Sequence, residues 1–276
     1  MATRPTRGGM AAVLVVLILG LAGEASAQRP QTTYRDPREL FGPRFEGGQD
    51  APRPERSRRE DAVRRWNEIL LVANALDHTP VKPGENRVFG EQVGPHRSSR
   101  AFAIVHIAIF DAVSAIAGGH KSYTGLPPAS GDISMSAAIA QAAHDTLADL
   151  YPSQKPSFDE LLAEDLDQIR DRQAQGRGID LGSRAAASIL GLRANDGSQF
   201  AEQLYGSEYI PVPGPGQWRQ DPIALQPIAL GSLWGQVKPF VLQSADQFRA
   251  LPPPSLNSAE YAAAFDEVKR LGGCGS

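Results

Sequence analysis

From position 61 onward apolar side chains recur every three or four residues, so helices rather than strands are the expected elements. Asp61 stands where it can cap a helix whose Val63, Trp66, Leu70, Val72 and Ala73 fall towards one side. Ser98 or Ser99 opens a second helix, in which Phe102, Val105, Ile109, Val113 and Ile116 form a stripe flanked by Ala101, Ile104 and Ala108. A helix apolar round most of its circumference belongs at the centre of a bundle. A third helix runs from Ser136 to Pro152, which stops it; Ile139, Ala143, Leu147 and Leu150 are its core stripe, and its alanines allow close helix approach. Ser157 and Glu160 have the spacing of a capping box for a fourth, which carries Leu161, Leu162, Leu166 and Ile169 and frays near Gly176. The fifth covers 178–196 and ends at Gly197, a candidate for the left-handed residue that follows a helix.

Residues 198–254 change texture: prolines are frequent, two tryptophans appear and no helical period is sustained. A structureless stretch of this length implies a functional or wrapping loop, here expected to lie on the bundle through Trp218, Leu230, Trp234, Val237 and Phe240. Residues 255–276 hold a sixth helix, starting near Asn257 or Ser258 with Tyr261, Phe265, Val268 and Leu271 on one face, and then a short tail. The expected fold class is all-α: a bundle over 61–197 with a long Pro-rich loop wrapped round it.

The first 27 residues stand apart. Arg4 and Arg7 precede an apolar run from Met10 to Ala22, and Ala25-Ser26-Ala27 follows, the layout of a signal peptide cleaved before Gln28. That run is 13 residues, short of the roughly 20 that span a bilayer, so export to the periplasm or beyond is expected, with no stable membrane span after cleavage. Residues 28–60 mix prolines, glycines and both charges without an apolar period and read as a disordered leader.

Composition narrows the function. Among 276 residues, 28 Lys and Arg meet 31 Asp and Glu for a net charge of −3, which argues against nucleic acid as a partner. With 41% apolar residues, 21% charged and a mean hydropathy of −0.29, a polytopic membrane protein is excluded. Cys274 is the only cysteine, so neither an internal disulfide nor a cysteine-based zinc site can form.

Seven pieces in order carry a resemblance: 100–116 (RAFAIVHIAIFDAVSAI), 137–152 (AAIAQAAHDTLADLYP), 178–182 (GIDLG), 193–197 (RANDG), 213–218 (PGPGQW), 234–240 (WGQVKPF) and 252–272. Together they resemble the N-terminal half of bacterial vanadium-dependent haloperoxidase-like proteins, in the superfamily of type 2 phosphatidic acid phosphatases. The resemblance covers roughly 61–272. It implies an all-α protein whose complete form binds vanadate and oxidises halide with hydrogen peroxide, or, in phosphatase relatives, uses a histidine nucleophile. The oxyanion is held in such proteins by a Lys with an Arg-Pro seven residues on, a Ser-Gly-His turn, and an Arg-x5-His followed by Asp.

Lys82, Lys121, Lys155, Lys238 and Lys269 have no Arg seven residues later, and Ser130-Gly131-Asp132 and Gly119-His120 each supply only part of the turn. Arg100-x5-His106, with Asp111 beyond, matches the third part superficially. Inside a helix six residues rotate by about 240° net and turn two such side chains apart, while Arg100 placed before the helix escapes this. In the family order, however, this segment is a helix of the N-terminal bundle, and its Asp spacing is one too long. His106 therefore reads first as a core or interhelical histidine. The expected set of catalytic, cofactor-binding and metal residues in this chain is none, with vanadate belonging to a complete family member.

Other polar residues have two readings. His96, beside Arg97, is a ligand or an exposed loop histidine, the second favoured. His144 and Asp145 bind a metal or join helices, the second favoured. Asp159, Glu160, Glu164, Asp165 and Asp167 form a cation site or, as favoured, a solvated helix face. Arg219 and Lys238 are single cations in the loop. The reading that follows is the N-terminal scaffold of a secreted haloperoxidase-like protein, inactive as this chain and ending before the vanadate site. The alternatives are a non-catalytic helical envelope module and an acid-phosphatase-like hydrolase built on Arg100 and His106. The apolar face of the sixth helix, lacking a partner, is expected to drive self-association.

Overall fold

The chain is represented by a computed structural model that describes residues 36–45 and 61–272. The signal-peptide expectation at 1–27 and the tail 273–276 lie outside the described residues. Seven α-helices are present among them: α1 (Arg38–Phe41), α2 (Ala62–Asp77), α3 (Pro95–Ala117), α4 (Met135–Leu150), α5 (Lys155–Asp167), α6 (Arg172–Arg193) and α7 (Ala259–Leu271). The only ladder among these residues pairs β1 (Gln203–Leu204) with β2 (Ile228–Ala229), antiparallel, inside the loop region. The fold is all-α, a helical bundle with a long Pro-rich loop against it, as the apolar period predicts.

α4 is the hub, packing on α2, α3, α5 and α6. Eleven of its 16 residues are buried, alanines prominent among them, because small side chains on all sides let neighbours come close. α6 comes closest. A Cβ placed on Gly178 would stand 2.6 Å from the Ser134 carbonyl oxygen, and one on Gly182 would stand 2.5 Å from that of Ala138. These two glycines, one turn apart, set the α4–α6 distance.

α3 is the second core helix, with Ala101, Ile104, Val105, Ala108, Ile109, Ala112 and Ala115 buried. Its deepest side is thus the expected flank, while Phe102, Val113 and Ile116 are only partly covered. By length and composition alone α3 is apolar enough to cross a bilayer, yet here it packs against both α4 and α6. α2 closes the bundle with Trp66, Ile69, Leu70 and Ala73, each fully buried large side chain contributing about 1.5–3 kcal/mol.

Local signals explain most boundaries. The carboxylate of Asp61 accepts from Val63 N, Ser134 Oγ from Ala137 N, and Ser258 Oγ from Tyr261 N. Two expectations fail at α5 and α6. The turn Pro152–Gln154 runs straight into α5, so Ser157 lies inside the first turn and no capping box forms. α5 ends at Asp167, and Asp171, accepting from Gln173 N and Ala174 N, starts α6 six residues before the expected Gly178. Gly197 does adopt a positive φ of 87°, four residues past the end of α6.

Another correction concerns the leader. Within 28–60, residues 36–45 include α1, whose Leu40 is buried in a second apolar cluster with Phe89, Val93 and Ile228. A lone Leu-Phe pair carries no period, which is why the pattern missed it. The loop 198–254 is anchored by Ile228, Ala229 and Val237, all buried, and by Phe240 against the main core. Trp218 is not an anchor on the bundle: it is 49% exposed and packs edge-on against Tyr205 and Tyr209 of the loop itself. α7 buries none of its residues, with Phe265, Val268 and Leu271 exposed as the sequence predicts.

Candidate functional site

The richest polar constellation lies where the N-terminal turns of α3 meet the end of α6 and the loop. Asp196, 3% exposed, is its centre. Its Oδ2 accepts from Arg100 Nε at 2.7 Å and from Arg193 Nε at 2.9 Å, while Oδ1 accepts from Ser198 N at 3.1 Å. Arg193, itself 2% exposed, also donates to the carbonyls of Lys238 and Pro239, and its guanidinium lies 3.9 Å from the centre of the Phe240 ring. Burial alone would raise the Asp196 carboxyl, but the bonds from Arg100 and Ser198 and the Arg100 charge outweigh it and hold it low.

Glu202 of the loop, facing His96 and Arg97 one turn earlier on α3, is the second centre, 4% exposed. It accepts from Arg97 Nη2 at 3.2 Å and from Gly231 N at 2.7 Å, and lies 3.0 Å from His96 Nε2. Burial opposes its charge, while the bonds to His96 and Gly231 and the Arg97 charge win and depress its pKa. Arg97 further donates to the carbonyls of Ser198 and Phe200, and His96 sits edge-on to Trp234, ring centres 4.6 Å apart. His96 is therefore not the exposed loop histidine expected: it lies in the first turn of α3, its side chain 11% exposed. Chemically both clusters are closed: each arginine is spent on a carboxylate and on carbonyls, those of the loop for Arg97 and Arg193 and that of Arg193 for Arg100. They fasten the loop to the bundle.

Arg100 and His106 are not brought together. Arg100 reaches the end of α6, whereas His106 Nε2 meets Asn67 Oδ1 on α2 at 3.1 Å, as the helical rotation predicts. Burial lowers the His106 pKa. Asp111 is equally committed, its buried carboxylate accepting from Tyr123 N, Thr124 N and Thr124 Oγ1. His144 joins helices as favoured, facing Asp145 and Asp159 at 2.8 Å each. The acidic run on α5 is not simply solvated. Asp165 lies 2.8 Å from Arg65 Nε and accepts from the buried Trp66 Nε1 at 3.0 Å, and Glu164 lies 3.5 Å from Arg65, so this face ties α5 to α2. Arg219 donates locally to the Gly214 carbonyl, and the Lys238 side chain is exposed. Asp132 serves through its carbonyl, which accepts from Arg177 Nε, and His120 is exposed beside Phe110.

A vanadate ion does not fit these residues. It would require cations and amide donors aimed at one point, and Arg97, Arg100 and Arg193 already neutralise the buried Glu202 and Asp196. No cluster of three or more His, Cys, Asp or Glu suited to a metal ion occurs among the described residues.

No protein-family model and no curated protein sequence matches the chain. A solved structure does: a bacterial vanadium-dependent iodoperoxidase, at a TM-score of 0.52 and 18% identity over 78% of this chain and 52% of that one. The chain thus spans about half the length of the solved protein that it matches. Its fold is haloperoxidase-like.

Proposed function

We propose that the chain is the helical scaffold portion of an exported vanadium-haloperoxidase-like protein, corresponding to its N-terminal half, and that it does not bind vanadate or oxidise halide by itself. The observation that carries this reading is the likeness to the iodoperoxidase, which extends over 78% of this chain but only 52% of that one. The commitment of Arg97, Arg100 and Arg193 to buried carboxylates supports it, since a cation already neutralised at close range contributes little to holding a further oxyanion. In a larger assembly these clusters would keep the loop seated and so shape the wall beside a site carried elsewhere.

The test is to titrate the purified chain with orthovanadate by calorimetry and by vanadium NMR, and to assay iodide and bromide oxidation with hydrogen peroxide. No saturable binding and no turnover above buffer are expected. Micromolar vanadate binding, or halide oxidation lost in His106→Ala with the fold intact, would overturn the reading in favour of a site on this chain.

A further inference from the structure

We propose that His144, Asp145 and Asp159 form a proton-held clamp that fastens α5 to α4 and α6. The inference stands independently of the haloperoxidase reading. The imidazole of His144 faces a carboxylate at each nitrogen: Nδ1 is 2.8 Å from Asp145 Oδ1 and Nε2 is 2.8 Å from Asp159 Oδ1. A neutral imidazole has one N–H and can donate to one of them; only the imidazolium donates to both. His144 is 7% exposed, so water is poorly placed to replace a lost bond.

Each carboxylate is held in turn. Gln141 Nε2 donates to Asp145 Oδ1 at 2.7 Å, and Ser183 Oγ donates to its Oδ2 at 2.8 Å, which brings in α6. Lys155 Nζ lies 2.7 Å from both oxygens of Asp159. The charged groups around the ring are thus Asp145 from α4 and Asp159 with Lys155 from α5, while α6 supplies the Ser183 hydroxyl. With the imidazolium present two negative charges meet two positive ones; without it one negative charge is left over beside a half-buried carboxylate.

This pairing matters to α5 in particular. That helix buries one side chain, Phe158, and covers Leu161 and Leu162 in part, so it has little apolar surface to hold it. Its other polar ties are Asp165 to Arg65 and Trp66, Glu164 to Arg65, and the Leu166 carbonyl, which accepts from Gln175 Nε2 of α6. Burial pulls the His144 imidazole down, but the bonds and charges of Asp145 and Asp159 outweigh it and raise its pKa. The proton is therefore held to a higher pH than on an ordinary histidine, and the clamp opens on the alkaline side. An element with few buried contacts then opens locally more often.

Nitrogen-15 NMR of the histidine ring, read alongside amide exchange of the intact chain across pH 5–9, tests this. Expected are an imidazolium signal for His144 that persists to a higher pH than in Asp159→Asn and an exchange rate of α5 amides, corrected for intrinsic base catalysis, that rises at least tenfold once His144 titrates. Amides of α3 should show no such step. Asp159→Asn, at a position half open to solvent, should fold, lower the His144 titration and remove the α5 step. A His144 that loses its proton at a lower pH than an ordinary histidine, or an α5 whose protection ignores the titration, would overturn the clamp, and the ring signal alone decides the first point in the unmodified protein.

Discussion

Asp196 joins three parts of the chain that no local apolar pattern connects. Its side chain neutralises Arg100 and Arg193, and its backbone carbonyl accepts from Lys238 N at 2.7 Å, so one residue holds α3, α6 and the loop. Asp196→Ala leaves the buried Arg193 and the partly covered Arg100 without their carboxylate and is expected to cost about 3–5 kcal/mol, read from urea unfolding. Asp77 behaves oppositely with pH. It is fully buried, and burial pushes its carboxyl up to about 6 despite hydrogen bonds from the backbone of Gln92, Glu91 and Gly90 and the charge of Arg87. The neutral form is favoured in the fold, so the stability it confers is complete below its unfolded value and is lost as pH rises through 6. The expected loss between pH 4 and 7 is on the order of 2–3 kcal/mol, visible as a fall in Tm relative to Asp77→Asn, which carries no such charge. Residues of this kind were only half legible in the sequence. His106 and His144 could be given interhelical roles from their place on apolar helices, but Glu202 and Asp165 could not. Their arginine partners are 105 and 100 positions away, and no local period encodes such a distance.

At the scale of elements, the capping residues Asp61 and Ser258 and the apolar stripes placed helices correctly because caps and stripes act within a turn or two. Where a boundary was missed, a competing local device had won: the turn Pro152–Gln154 over the Ser157 capping box, and Asp171 over Gly178 as a starting signal. The alanines of α4 signalled close approach, and the α6 glycines complete it. Gly182→Ala gains up to about 1 kcal/mol of helix propensity but drives a methyl onto backbone 2.5 Å away, where overpacking costs about 1–3 kcal/mol or more. A net loss of stability is expected from calorimetry. Gly191→Ala, whose Cβ would meet nothing within 4 Å, should instead stabilise the same helix, and equal effects of the two would refute the close-approach account. α7 presents the converse case, an amphipathic helix with Phe265 57%, Val268 69% and Leu271 70% exposed. Exposed apolar surface of that kind favours association. Sedimentation is expected to show concentration-dependent self-association of the chain, reduced in the double variant Phe265→Glu, Val268→Glu; a monomer at all concentrations would count against it.

For the whole molecule, the bundle and the loop are held by different forces. The bundle buries alanine, leucine and isoleucine in a continuous core; the loop contributes few core side chains and is pinned by Glu202, Asp196 and the Tyr123 hydroxyl, which donates to the Phe240 carbonyl at 2.5 Å. Those pins close long circuits of chain, with Tyr123 and Phe240 separated by 117 positions. The order of folding events follows. Closing such a circuit costs chain entropy that only an already formed bundle can offset, so the loop should seat after the rate-limiting step and contribute little to the folding transition state. Tyr123→Phe should therefore leave the refolding rate nearly unchanged and place its whole effect on unfolding, the loop acting as a late latch that sets the lifetime of the native state rather than the speed of reaching it.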